Sequence, residues 1–171
     1  MLKISLLAAS LLFALVTPSF GQSKRGPSTP EERTKALASI DDLEANPLGP
    51  NAKEERRWLT IWLIEVPDIH VTFCTDLLPD EPKKDKLDSN AIWTQMMFSS
   101  ARYAIQHDGG SGDSPAQQLA GVEGALKVYE AILAQKPEDR EAGLDAMLKR
   151  RADGTLGDWV KEQAAKHCKG H

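Results

Sequence analysis

Cys74 and Cys168 are the only cysteines in the chain, and each has histidine nearby: His70 lies four residues before the first, and His167 and His171 bracket the second. Three kinds of chemistry are open to that set. In an oxidising compartment two thiols usually close into a disulfide, which here would tie the last helix to the third. Two thiolates with two or three imidazoles would instead suit zinc or copper by softness, with His70 and Cys74 sharing one helical face. Free thiols are the third state. No Cys-x-x-Cys spacing occurs, so the disulfide between Cys74 and Cys168 is the expectation. The metal set His70, Cys74, His167, Cys168 and His171 is the alternative.

The other residues that could do chemistry form no recognisable set. The glycine-rich stretch Asp108-Gly109-Gly110-Ser111-Gly112-Asp113 lacks the lysine of a phosphate-binding loop, and its aspartate is displaced by one position from a calcium-binding nonapeptide. It also lacks the final glycine of a nucleophile elbow, and so reads as a flexible connection between two helices. Carboxylates are plentiful, but Asp41-Asp42-Glu44 and Glu138-Asp139-Glu141 fall on helix surfaces or first turns, where solvation and the helix dipole account for them. No His-Glu-x-x-His occurs, no catalytic residue is assigned, and no cofactor is expected.

Whatever these residues do, the N-terminal segment leads us to expect them outside the cytoplasm. Lys3 precedes an apolar run from Ile4 to Val16, then Thr17-Pro18 breaks the helix and Ser19-Phe20-Gly21 offers small residues to a signal peptidase. Residues 1–21 are therefore expected to be a cleaved signal peptide, and the destination the periplasm or the extracellular space. The run is shorter than the roughly 18 to 20 residues of a spanning helix, so no stable membrane anchor is expected after cleavage. Setting Lys3 aside, 20 of the 21 basic residues remain against 25 acidic ones, mixed along the chain. Nucleic acid, which wants clustered positive charge, is not the expected partner.

The elements that must position these residues read as helices almost throughout. Residues 22–29 are polar and apolar-poor, a disordered leader to a domain spanning 30–171. Thr29-Pro30-Glu31-Glu32 is a capping box with proline at the first helical position, followed by Ala36, Leu37, Ile40 and Leu43 at helical spacing. Asn51 with Glu54 repeats the capping pattern ahead of Trp58, Leu59, Trp62, Leu63 and Val66. Ile61 and Ile64 widen that apolar face, which places the helix in the middle of the bundle. Asp68 is expected to cap a short third helix through Ile69, Phe73 and Leu77, even though Val71-Thr72-Phe73 leans towards β structure.

A longer helix is expected from about Lys86 to His107, with Trp93, Met96 and Met97 inward. Ser114-Pro115-Ala116-Gln117 opens another, whose Gly121 and Gly124 predict close approach of a neighbour bearing Ser99, Ser100 and Ala101. Two more follow, over about Glu138 to Arg151 and from Thr155 onward. The fold class is all-α: one compact domain of six or seven antiparallel helices joined by short loops.

Ala125, Tyr129, Leu133 and Pro137 fall four apart, a pattern that resembles the second helix of a tetratricopeptide repeat with its terminal proline. No second copy occurs at the expected period of about 34 residues, so the resemblance implies one helical hairpin in the C-terminal half and no solenoid. With no catalytic signature, the expected role is a protein-protein interaction or structural module whose partner is another protein or peptide. The alternative is a metal-binding or thiol-redox protein using Cys74 and Cys168 with their neighbouring histidines.

Overall fold

The computed structural model describes residues 25–79, 88–112 and 114–168. Among them are six α-helices: α1 (Pro30–Ala45), α2 (Ala52–Glu65), α3 (Ser89–Gln106), α4 (Pro115–Gln135), α5 (Ala142–Ala152) and α6 (Leu156–His167). Two single 3-10 turns, Thr75–Leu77 and Pro137–Asp139, complete the helical structure. The chain folds as one all-α domain.

Local signals set several helix ends. Thr29 Oγ1 accepts the Glu32 N–H and Glu32 accepts the Thr29 N–H in return, so two amide donors that the first turn would leave unpaired are satisfied. Ser114 Oγ accepts the Gln117 N–H at the start of α4, while the Gln117 side chain reaches elsewhere. Asn51 and Thr155, expected to cap α2 and α6, make no such bond. The helix expected from Glu138 begins only at Ala142, because the buried Tyr129 hydroxyl accepts the Glu141 N–H and the Glu141 carboxylate then caps α5 through the Leu144 N–H.

The bundle is built around α3 and α4. Cβ atoms added at Gly121 and Gly124 would fall on the side chains of Ser100 and Ser99, and the former also lies 2.7 Å from the Met96 carbonyl. The two helices therefore touch where small residues permit it. One face of α3 sends Ala91, Ile92 and Met96 into a core shared with Val122, Leu126, Tyr129, Met147 and Val160. The other sends Phe98, Ala101 and Ala104 against Ile40, Leu43, Leu59 and Trp62. The expectation that α2 occupies the middle fails: Ile61 and Ile64 are 45% and 77% exposed, and α4 holds the centre. Apolar breadth gave the wrong answer because α2 packs one stripe, Leu59 and Trp62 with Trp58 and Leu63 beside them, and leaves Ile61 and Ile64 in water.

Two further expectations are corrected. The stretch before α1 is tied down from Arg25 onward: Arg25 pairs with Glu32 and Glu65, and Ser28 donates its N–H and hydroxyl to Asp68, each at 2.8 Å. Residues 22–24, like the expected signal peptide, lie outside the described residues. Asp68 caps no helix, because its carboxylate is taken by Ser28 and Arg33, and the chain from Ile69 to Cys74 runs extended.

Candidate functional site

The extended segment after Pro67 is held by the glycine-rich loop. His70 N–H donates to the Gly109 carbonyl at 2.9 Å and Thr72 N–H to the Gly112 carbonyl at 3.2 Å, making a parallel bridge between Val71 and Gly112. Gln117 closes the junction by donating to the His70 carbonyl at 2.6 Å and accepting from the Gly112 N–H at 3.2 Å. Gly112 sits at φ +80°, a backbone that L side chains rarely adopt, with the Thr72 hydroxyl against it. The loop expected to be a flexible connector is thus a clamp of paired backbone. A helix over Asp68–Leu77 loses to it because a helix that short is marginal in water, while the loop offers ready partners to β-branched Val71 and Thr72.

Downstream of the clamp the segment reaches Cys74, bonded to Cys168 across a sequence separation of 94 with the Cα atoms 5.6 Å apart. Cys74 is buried in the core and Cys168 is half-buried at the end of α6. Both sulfurs are spent in that bond, which removes two of the five ligands of the alternative metal set. Of the histidines, His70 is exposed on the extended segment and shares no helical face with Cys74, and His167 is exposed on the last turn of α6. His171 lies outside the described residues. Among the described residues no group of three or more histidine, cysteine or acidic side chains is placed to hold a metal ion.

What the disulfide does bring together is aromatic. Beside it opens a surface groove of about 820 Å³. One side is the segment carrying Phe73, Asp76, Leu78 and Pro79; the other is α5 and α6, carrying Met147, Arg150 and Trp159, with Trp93 of α3 between them. Phe73 meets Trp93 edge to face, ring centroids 6.0 Å apart and planes at 67°, and remains 45% exposed. Arg150 places its guanidinium 5.5 Å from the centroid of the Trp159 ring, so a cation and an indole face share one edge of the groove. Asp76 is exposed on the opposite side. Gly143 closes the end, where an added Cβ would come within 2.6 Å of the Pro79 side chain.

No family model, curated protein or solved structure matches the chain. The groove itself was not legible as a site, since Trp93, Met147 and Trp159 read as core positions on separate helices. One signal could have found it: Phe73 is next to Cys74, and Trp159 is nine residues before Cys168 on the same helix, so joining the cysteines also draws those aromatics together.

Proposed function

We propose that this chain is an exported helical binding module whose groove between Phe73, Trp93 and Trp159 takes an extended segment of another protein. The observation that carries the reading is the groove's composition. Tryptophan, phenylalanine, methionine and arginine are the residues that dominate the energetics of protein interfaces, and here they line one open channel. Its volume falls within the range of ligand sites, and it is open to the surface, as a peptide needs. Asp76 on one side and Arg150 on the other give a bound segment a preferred direction. Export is supported by the signal-like sequence of residues 1–21 and by a disulfide, which suits an oxidising compartment. Among the described residues no helix is long and apolar enough to cross a membrane. The metal-binding alternative is not carried forward, because its thiols are bonded to each other.

Selection of a displayed random peptide library on the oxidised protein tests the reading. Sequences should be enriched that bind the wild type and lose at least about tenfold in affinity, roughly 1.4 kcal/mol, on Trp159→Ala. Enrichment of nothing, or of peptides indifferent to Trp159→Ala and Trp93→Ala alike, would sink it.

A further inference from the structure

We infer that the Cys74–Cys168 bridge is a redox gate on this groove, opened by a dithiol reductant and closed by reoxidation; the inference rests on the groove being the binding site. The two walls belong to different parts of the chain. Phe73, Asp76 and Pro79 sit on the segment that follows the clamp, whereas Trp159 sits on α6. The bridge is the one covalent link that spans them among the described residues. Backbone bonding does little to replace it. The clamp ends at Thr72, and the backbone bonds beyond it, Leu77 N–H to the Cys74 carbonyl and Leu78 N–H to the Thr75 carbonyl, stay within the segment. Once the sulfurs part, the wall is held among the described residues by side-chain packing: Leu77 and Leu78 in the core, Phe73 against Trp93, and Pro79 against Gly143. In the last turn of α6 Ala164 is buried while Ala165, Lys166 and His167 are exposed, and Cys168 follows at the bridge.

The exchange itself is ordinary thiol-disulfide chemistry. A thiolate of the reductant attacks the Cys168 sulfur, the more accessible of the two; the S–S bond breaks and Cys74 leaves as a thiolate that takes up a proton. The second thiol of the reductant then attacks the mixed disulfide and releases Cys168. The reductant ends as a disulfide and the chain as two thiols, two electrons having passed.

The test uses the mature protein and one probe, 8-anilinonaphthalene-1-sulfonate, whose rings suit the aromatic walls and whose sulfonate suits Arg150. Binding is read by energy transfer from tryptophan, with Trp159→Ala marking the signal that belongs to the groove. Hydrogen exchange is measured in parallel on oxidised wild type, reduced wild type and Cys168→Ser, a substitution at the less buried end of the bridge. The expected result is a loss of at least about tenfold in probe affinity in both thiol forms. Amides of residues 73–78 should exchange at least about tenfold faster, with Val122 to Ile132 of α4 unchanged. Probe held equally before and after reduction overturns the gate and leaves the groove standing. Probe held by neither form removes the groove reading, and the gate with it.

Discussion

Two acidic residues stitch the fold at points where helices meet. Asp68 accepts the Ser28 N–H, the Ser28 hydroxyl and the Arg33 guanidinium, all at 2.8 Å. Burial pushes its carboxyl up, but those donors outweigh it and hold the pKa at about 2, against an ordinary 3.8. A pKa lowered by folding contributes stability that is complete above the unfolded value and is lost as pH falls from about 4 through 2. With the side chain 23% exposed, solvent screening reduces that contribution to about 1 kcal/mol. Urea unfolding of wild type and Asp68→Asn should therefore differ at pH 6 and converge near pH 2; a difference independent of pH would remove this account. Glu44 is the second stitch, reaching from α1 to Ser99 and Arg102 of α3 and Lys127 of α4 at 2.8, 3.1 and 3.0 Å. Burial raises its pKa, and Lys127, Ser99 and Arg102 together bring it below the ordinary value. Glu44→Gln keeps the volume but removes the carboxylate charge that the three donors face, and should cost about 1–3 kcal/mol in chemical denaturation.

At the scale of the element, the contact between α3 and α4 decides the bundle. Glycine in a helix interior costs roughly 1 kcal/mol relative to alanine, so Gly124→Ala would stabilise α4 in isolation. In the folded protein the new methyl would enter the space of Ser99, whose hydroxyl links Gln95 to Glu44. Overpacking of that kind costs about 1–3 kcal/mol and here breaks a buried polar seam as well, so the net expectation is a loss. Gly157→Ala in α6, where the nearest atom is 3.4 Å away, is the control and should hold or raise the urea midpoint, since the methyl meets no obstacle. A stabilised Gly124→Ala would mean that the two helices can separate at little cost. The small-residue contact was readable in the sequence, because interior glycines need a neighbour to justify them. The extended course of Ile69 to Cys74 was not, since helical spacing and β-leaning side chains coincide there and only the distant Gly109–Gly112 loop breaks the tie.

For the molecule as a whole, the bridge between Cys74 and Cys168 closes a loop of 94 residues, for which the chain-entropy model gives about 4–5 kcal/mol before strain. Cys168→Ser, at a half-buried position, should lower stability by about 2–4 kcal/mol and leave a folded core. Cys74→Ser should lower it further, because it also places a hydroxyl where only 6% of the residue meets water. Equal losses would show that the buried position contributes nothing beyond the link. The sequence alone determined what is local or purely compositional: the all-α class, the Thr29 and Ser114 caps, the glycine-serine contact of α4 with α3, and the single pair of cysteines able to join. The tertiary structure decided which helix is central, where Asp68 bonds, how the glycine loop clamps the chain at His70 and Thr72, and that Phe73, Trp93 and Trp159 share one groove. The difference is one of range. Caps and periodicity act within a few residues and are written in neighbouring side chains, whereas burial, clamping and the groove depend on groups tens of residues apart, whose meeting no local spacing records.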